Sequence, residues 1–174
     1  MKKSVSGFTI VELLIVIVVI AILATITIVA YNGVQERTRD SIRKEDLGSL
    51  AKAWQLYAID NGDYGDANCG YIGGSITSGG WLPNDYDATG PRIPMDDCLK
   101  NGGYLSKALR DPSGLTGCGT NTDCHAYLKY TCTDGSTWLF ANLESKTASN
   151  ETDIVPCAPT YDTVYGIDYV LRVN

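Results

Sequence analysis

The carboxylate of Glu12 has the most unusual surroundings of any charged group in this 174-residue sequence. The nineteen residues that follow it, 13–31, contain no charged side chain, and the nearest basic residues are Lys2 and Lys3. A carboxylate within an apolar membrane helix costs about 2.5–3.5 kcal/mol and usually has a partner. Cleavage of the chain directly after Gly7 would create an α-amino group one helical turn away. We therefore expect an amine on a neighbouring copy of the chain to neutralise Glu12.

Six cysteines form a second set of residues with chemistry of their own, and all lie beyond residue 61: Cys69, Cys98, Cys118, Cys124, Cys132 and Cys157. In an exported domain they most simply form three disulfides, each contributing about 2–4 kcal/mol of stability. Six cysteines allow fifteen pairings, and sequence does not choose among them. Our prediction pairs cysteines that would close loops rich in Gly and Asn: Cys69–Cys98, Cys118–Cys124 and Cys132–Cys157.

Neither a metal site nor a catalytic set accompanies these cysteines. The sequence contains no Cys-x-x-Cys, and His125, its only histidine, is expected to be an ordinary solvated side chain rather than a zinc ligand. Gly-x-Ser-x-Gly, phosphate-loop and His-Glu-x-x-His motifs are absent from the sequence. We therefore expect no enzyme activity, no metal and no cofactor.

Acidic residues outnumber basic ones, 20 to 14, and the formal net charge is −6. Residues 1–60 carry +1 and residues 61–174 carry −7, which disfavours nonspecific binding of nucleic acid by the second part. The adjacent acids Asp96 and Asp97 are expected to be solvated. Three further acids could offer oxygens to calcium but lack a ligand spacing that would predict a site: Asp153, Asp162 and Asp168.

The element that positions Glu12 is the apolar run itself. At ~1.5 Å per residue in a helix, the run spans roughly 28 Å, about the thickness of a bilayer's hydrocarbon core. A cleavable secretory signal has a shorter apolar region, of about 7–15 residues. Residues 8–31 are therefore predicted to span the membrane. Charge alone does not orient the span, because basic residues flank both of its ends: Lys2, Lys3, Arg37, Arg39, Arg43 and Lys44.

Beyond the span the helix becomes amphipathic. Its apolar residues follow helical spacing and are predicted to pack against a globular head: Leu47, Leu50, Ala51, Trp54, Tyr57 and Ala58. Its polar side is supplied by Glu36, Arg37, Asp40, Lys44 and Glu45. A helix over residues 8–60 would measure roughly 80 Å, with residues 8–31 in a membrane or filament core and residues 32–60 amphipathic.

Residues 61–174 are predicted to form the head. Alternating patterns predict strands at residues 126–132, 136–143 and 165–173, and Asp134-Gly135 predicts a hairpin turn between the first two. A short helix is predicted at residues 104–109. The fold class is therefore α+β, with a long N-terminal helix packed on a small antiparallel β-sheet head whose loops are joined by disulfides.

The start of the chain, Lys-Lys-Ser-Val-Ser-Gly7-Phe8-Thr-Ile-Val-Glu12-Leu-Leu, resembles the class III prepilin leader of type IV pilins and type II secretion pseudopilins. That family has a short basic leader, an obligatory Gly, a hydrophobic first mature residue (usually Phe) and Glu as the fifth mature residue. The motif covers residues 1–31. A softer match is the element Tyr57-Ala-Ile-Asp-Asn-Gly-Asp-Tyr64, which is similar to the end of the long helix in such proteins.

The resemblance implies a role for each of these N-terminal residues. Prepilin peptidase would remove the leader, residues 1–7, by cutting after Gly7 on the cytoplasmic side, and Phe8 would become the N-methylated N-terminus. Glu12 would pair with the terminal amine of an adjacent subunit and set register during assembly. Loss of Lys2 and Lys3 would change the net side-chain charge from −6 to −8.

The resemblance also implies location and partners. The protein would cross the cytoplasmic membrane once, N-terminus inside, and would then join an extracellular pilus. Its partners would be further copies of itself, minor pilins, prepilin peptidase and the pilus assembly machinery, for adhesion, twitching motility or DNA uptake. Two alternatives stay open: a pseudopilin of a type II secretion or competence machine, and a minor-pilin adhesin or membrane-tethered binding module.

One departure from the family concerns the helix itself. Many members carry a Gly and a Pro in the apolar half, whereas this chain has Ala21 and Val29 at the corresponding positions. The first Gly after Gly7 is Gly33, and the first Pro is Pro83. Because Pro and Gly are the usual sites of helix kinks, we predict a continuous helix.

Overall fold

A computed structural model of the chain describes residues 7–64, 79–81, 94–114, 125–145, 155–157 and 166–174. Its elements, in chain order, are helix α1 (Ile10–Asn61), strand β1 (Gly79–Trp81), helix α2 (Met95–Asn101) and strands β2 (Leu128–Thr131), β3 (Thr137–Ala141) and β4 (Tyr169–Arg172). The predicted α+β class, with a long N-terminal helix and a small antiparallel sheet, is confirmed. The chain divides into two compact units, Met1–Thr38 and Arg39–Asn174.

The first unit consists of the apolar part of α1. Its large apolar side chains are exposed in the single chain, from 47% at Val19 to 87% at Phe8. α1 is the one helix among the described residues that is long and apolar enough to cross a membrane. The helix is continuous over its 52 residues, as the lack of Pro and the lack of Gly in its apolar half predict.

The two threonine hydroxyls inside the apolar run are satisfied by the helix itself. Thr25 donates to the carbonyl of Ala21 and Thr27 to that of Leu23, each at 2.8 Å. A hydroxyl in hydrocarbon is costly unless it is hydrogen-bonded, and a bond to the carbonyl four residues earlier removes that cost. Both threonines are therefore compatible with an apolar environment.

The second unit contains the sheet. The strands lie in the order β1-β2-β3-β4, and each neighbouring pair is antiparallel. In the register of the central hairpin, Leu128 is opposite Phe140 and Thr131 is opposite Thr137. The predicted turn connects β2 to β3, and Gly135 adopts a φ of 84°, which glycine accepts without strain. The three predicted strands are thus confirmed, with shorter bounds.

The main core lies between the second part of α1 and one face of the sheet. Leu47, Leu50 and Trp54 have no exposed surface and pack in one cluster with Tyr127 and Leu139. The stripe predicted from helical spacing is therefore the face of α1 that contacts the head. This apolar packing supplies the main attraction between helix and sheet.

A lysine is enclosed in the same core. Lys129 on β2 is 2% exposed, and its Nζ lies 4.0 Å from the centroid of the Trp54 ring. The ammonium also donates to the carbonyl of Tyr64, the last described residue after α1. The attraction between a cation and an aromatic face makes this burial tolerable.

A second cluster covers the opposite face of the sheet. It contains Phe140, Val170 and Ile167, together with Val155 and Cys132. A disulfide joins Cys132 to Cys157, with 5.6 Å between their Cα atoms, and this is the predicted pairing. Within β4, Val170 is buried, Tyr169 and Leu171 are partly buried and Arg172 is exposed, which agrees with the half-buried strand that the alternation predicts.

The other predicted disulfides lie wholly or partly outside the described residues. Cys98 is disulfide-bonded, and its partner is not among the described residues. The predicted partner, Cys69, and the predicted pair Cys118–Cys124 lie in segments outside them. Those two pairings stay predictions.

The predicted helix at residues 104–109 is wrong, and the helix of this region, α2, lies nearer the N-terminus at Met95–Asn101. Pro94 precedes α2, its first turn carries Asp96 and Asp97, and its last turn carries Lys100. Acids at the start and a base at the end both favour a helix through its dipole. Gly103, with a φ of 81°, then turns the chain away.

Candidate functional site

Glu12 lies in the first turn of α1 and interacts there with Thr9. Its Oε2 accepts a hydrogen bond of 2.8 Å from the Thr9 backbone N–H and another of 2.6 Å from the Thr9 hydroxyl. The Glu12 N–H donates in return to the Thr9 hydroxyl oxygen at 3.3 Å. This reciprocal arrangement is a capping box, which satisfies amide groups that the first turn of a helix leaves unpaired.

The capping box was overlooked at the level of sequence, although Thr9-x-x-Glu12 is its usual signature. The box gives Glu12 a second use. In the single chain the carboxylate caps its own helix, and an amine from another copy would approach a carboxylate that is already oriented. Pairing of Glu12 with such an amine stays a prediction.

Gly7 and Phe8 lie just ahead of this cap. Both residues are exposed and precede the helix, whose backbone bonding begins with the Leu13 N–H and the Thr9 carbonyl at 3.3 Å. A peptide bond outside a helix can enter a protease site in extended form without prior unwinding. The predicted cleavage position is therefore accessible in the chain.

A buried ionic cluster lies where α1 enters the second unit. Arg43 has no exposed surface, and its guanidinium contacts three carboxylates. Nε and Nη2 donate to the two oxygens of Asp111 at 2.7 and 3.1 Å. Nη1 lies 2.8 Å from Asp40 Oδ1 and 2.8 Å from Glu144 Oε1. We call Asp40, Arg43, Asp111 and Glu144 the Arg43 cluster.

Further contacts fix the carboxylates of the cluster. The backbone N–H groups of Glu144 and Ser145 donate to the two oxygens of Asp40 at 2.9 and 2.8 Å. Arg39 binds the Glu144 carboxylate with Nε at 2.6 Å and with Nη2. The Ser113 N–H donates to Asp111 at 2.8 Å. One turn of α1 is thereby joined to the segments after α2 and after β3.

The electrostatics of the cluster favour the charged forms of Arg43, Asp111 and Glu144. Hydrogen bonds from Arg39 and then Arg43 outweigh burial and lower the pKa of Glu144 to about 2. Burial alone would raise the pKa of Asp111, but hydrogen bonds from Arg43 and Ser113 outweigh it and lower that pKa. Burial would likewise lower the pKa of Arg43, and its carboxylate partners raise it instead.

The sequence pattern assigns Asp40 to the polar side of α1, but Asp40 is buried. Asp40 is 3% exposed because Arg43, one turn later, faces the head together with it. The spacing of an acid and an arginine at i and i+3 was the available signal. Their burial depends on Asp111 and Glu144, which are distant in sequence, and no local pattern contains that information.

The remaining polar candidates among the described residues make contacts within the chain, whereas Asp153 and Asp162 lie outside those residues. Asp96 is fully buried rather than solvated and accepts a hydrogen bond from Arg110 Nε at 3.2 Å. His125 is partly buried, and its Nδ1 lies 2.9 Å from the Asn142 carbonyl oxygen. Asp168 accepts the Leu143 N–H at 2.8 Å. Within the described part of the chain, no group of three or more His, Cys, Asp or Glu side chains could hold a metal ion.

Comparison with known proteins places these features in context. The family described as "Prokaryotic N-terminal methylation motif" matches residues 2–28, which include Gly7, Phe8 and Glu12. Type II secretion system core protein G of Aeromonas hydrophila is 28% identical over 113 residues, covering 65% of this chain and 71% of its own length. Its counterpart in Pseudomonas aeruginosa is 24% identical over 123 residues, or 69% and 87% of the two chains.

A pilus protein is similar over a shorter stretch. Type IV wide pilus major component PilA4 of Thermus thermophilus is 39% identical over 62 residues, which cover 36% of this chain and 47% of that protein. No solved structure matches the chain.

Proposed function

The chain belongs to the family of type IV pilins and type II secretion pseudopilins, and from that premise we propose that it is a subunit of a surface filament, a type IV pilus. It polymerises through α1 after prepilin peptidase has cut behind Gly7 and methylated Phe8. The observation that carries the proposal is the apolar surface of α1, whose large side chains between Ile10 and Ile28 are all exposed in the single chain. So large an apolar surface needs lipid or other subunits to cover it.

Before assembly, α1 holds the protein in the cytoplasmic membrane with its N-terminus inside. The length and composition of the helix support this placement. The internal hydrogen bonds of Thr25 and Thr27 support it as well, since they leave no hydroxyl unsatisfied in lipid. In the filament, neighbouring copies of α1 replace the lipid, and Glu12 pairs with the methylated amine of the adjacent subunit.

A pseudopilin of a type II secretion machine is the second candidate. The relatives named core protein G match over about two thirds of this chain, whereas PilA4 matches over 36% of it. Similarity that reaches into the head favours this alternative, because heads differ between systems more than assembly helices do.

The proposal is tested with filaments sheared from native cells. Mass spectrometry of the subunit is expected to give a chain that begins at N-methylated Phe8. A Glu12→Ala variant should remain in the membrane with a folded head and yield no filaments, and Thr9→Val serves as a matched control that disturbs the capping box but keeps the carboxylate. A subunit that retains Lys2, or normal filaments from Glu12→Ala, would contradict the mechanism.

Electron microscopy of the same cells separates the two candidates. A pilus subunit gives long filaments on the surface of cells at native expression. A pseudopilin gives none at that level, and its deletion leaves secreted enzymes in the periplasm.

A further inference from the structure

We propose that the Arg43 cluster is a mechanical lock, which holds the head on α1 when force is applied along the helix. The source of that force rests on the proposed function, since subunits of a filament carry load through their assembly helices. The lock itself is a property of the single chain and can be tested without filaments.

The Arg43 cluster lies at the N-terminal edge of the second compact unit. The second compact unit begins at Arg39, and the cluster uses the turn of α1 from Asp40 to Arg43. Any force carried by residues before Arg39 reaches the head through this turn, because the chain is covalently continuous. The apolar contacts of Leu47, Leu50 and Trp54 lie farther along the helix. The cluster is therefore the first part of the core to be loaded.

The Arg43 cluster joins three segments of the chain: α1, the segment after α2 and the segment after β3. Arg43 binds Asp111, in the segment after α2, through two guanidinium nitrogens, and it binds Glu144, in the segment after β3, through a third. Asp40 accepts two backbone N–H groups from that second segment. To separate this turn of α1 from the head, all of these contacts must break at once.

The contacts of the Arg43 cluster are buried ion pairs. Replacing a buried ion pair by well-packed apolar residues is often neutral or stabilising, so equilibrium stability is a weak explanation for a fully buried arginine with three carboxylates. Bidentate ionic hydrogen bonds require a defined geometry and are lost within a small displacement. Such contacts raise the barrier to forced separation, which depends on the unfolding rate rather than on equilibrium stability.

Force spectroscopy on the full chain in detergent micelles tests the lock. One handle is placed at the N-terminus and one at the β2–β3 turn, so that load enters through α1. Two variants are compared with the native chain. Arg43→Lys keeps the positive charge but loses the guanidinium that binds both oxygens of Asp111. The second variant, the neutral set, combines Asp40→Asn, Arg43→Met, Asp111→Asn and Glu144→Gln. A matched control neutralises the other ionic cluster of the head, with Asp96→Asn, Asp97→Asn and Arg110→Met.

We expect both cluster variants to unfold at least about tenfold faster under constant load through α1. The control should stay within about twofold of the native rate under the same load. When handles at the β2–β3 turn and the C-terminus load the sheet instead, the cluster variants should match the native chain. If the neutral set does not fold, the unfolding rate of Arg43→Lys relative to the native chain tests the lock.

Two outcomes would overturn the proposal. One is an unchanged rate under load through α1. The other is an equal acceleration in both pulling directions, which would make the cluster an ordinary stabilising contact. Neither outcome bears on whether the chain forms filaments, because the measurement uses single molecules.

Discussion

The capping box of Thr9 and Glu12 orients the carboxylate to which we assign, as a proposal, a second role in assembly. The carboxylate is held by two hydrogen bonds at the helix start, so little side-chain entropy remains to be lost when an amine binds it. A negative charge in the first turn is also favoured by the helix dipole. A residue that is already oriented is a better determinant of register than a mobile one.

Among single residues, Glu144 gives the clearest pH dependence. Its pKa is lowered to about 2 by Arg39 and Arg43, so its contribution to stability is complete above the pKa of about 4.3 of an unfolded glutamate and is lost as pH falls towards 2. At neutral pH, Glu144→Gln should therefore lower the free energy of unfolding by roughly 1–3 kcal/mol. At pH 3 the difference from the native chain should be clearly smaller.

Denaturant unfolding of the full chain in nonionic detergent, followed by near-ultraviolet circular dichroism, measures this difference at each pH. Glu45→Gln is the control, because Glu45 is an exposed carboxylate on the same helix. A Glu144→Gln difference that stays constant between pH 7 and pH 3 would show that the charge of Glu144 is not what stabilises the head.

At the scale of elements, α1 has two unlike faces within the second unit, and two leucines distinguish them. Leu50 has no exposed surface, whereas Leu56 is 52% exposed on the same helix. Leu50→Ala should lower the free energy of unfolding by about 2–5 kcal/mol, because it leaves a cavity between helix and sheet. Leu56→Ala should change it by less than about 0.5 kcal/mol. The same denaturant titration checks both, and equal effects would contradict the assigned helix face.

The periodicity of the sequence was sufficient to predict these elements because their patterns are local. Each pattern depends on residues that are close together in the sequence, as in the helical spacing of Leu47, Leu50 and Trp54 and in the Asp134-Gly135 turn. The helix at residues 95–101 was missed because a seven-residue element leaves too little periodicity to recognise. Its start is marked instead by Pro94 and two acids, which sequence analysis interpreted as a solvated loop.

The candidate site likewise contains residues that a local pattern reveals and residues that it does not. Candidate roles for Gly7, Phe8 and Glu12 could be proposed from the sequence because they rest on a short contiguous motif, matched within residues 2–28. The Arg43 cluster could not, because Asp111 and Glu144 lie 68 and 101 residues away from Arg43 along the chain. Which carboxylate meets a buried arginine is decided by tertiary packing, and no pattern in the neighbourhood of Arg43 encodes it.

For the whole molecule, charge and apolar surface are separated along the chain. Residues 61–174 carry a net charge of −7, and among the described residues the large exposed apolar side chains are Phe8 and residues of α1. Copies of the chain can therefore bury their helices together while their heads repel one another. Assembly through α1 and solubility of the product are then controlled by different parts of the sequence.

This separation predicts that filaments of the protein associate side by side when the charge of their heads is screened. Loss of the leader leaves a side-chain charge of −8 per subunit, which keeps neighbouring filaments apart at low ionic strength. The screening length falls from about 30 Å at 0.01 M salt to about 8 Å at 0.15 M, so added salt should promote bundling. Lowering the pH towards the sequence pI of about 4.6 should act in the same direction, because it removes net charge.

Light scattering and electron microscopy of purified filaments measure both effects, and Glu12→Gln filaments, if they form, control for charge in the helical core. Bundling that is independent of both salt and pH would place the acidic surface at contacts between subunits rather than on the outside of the filament.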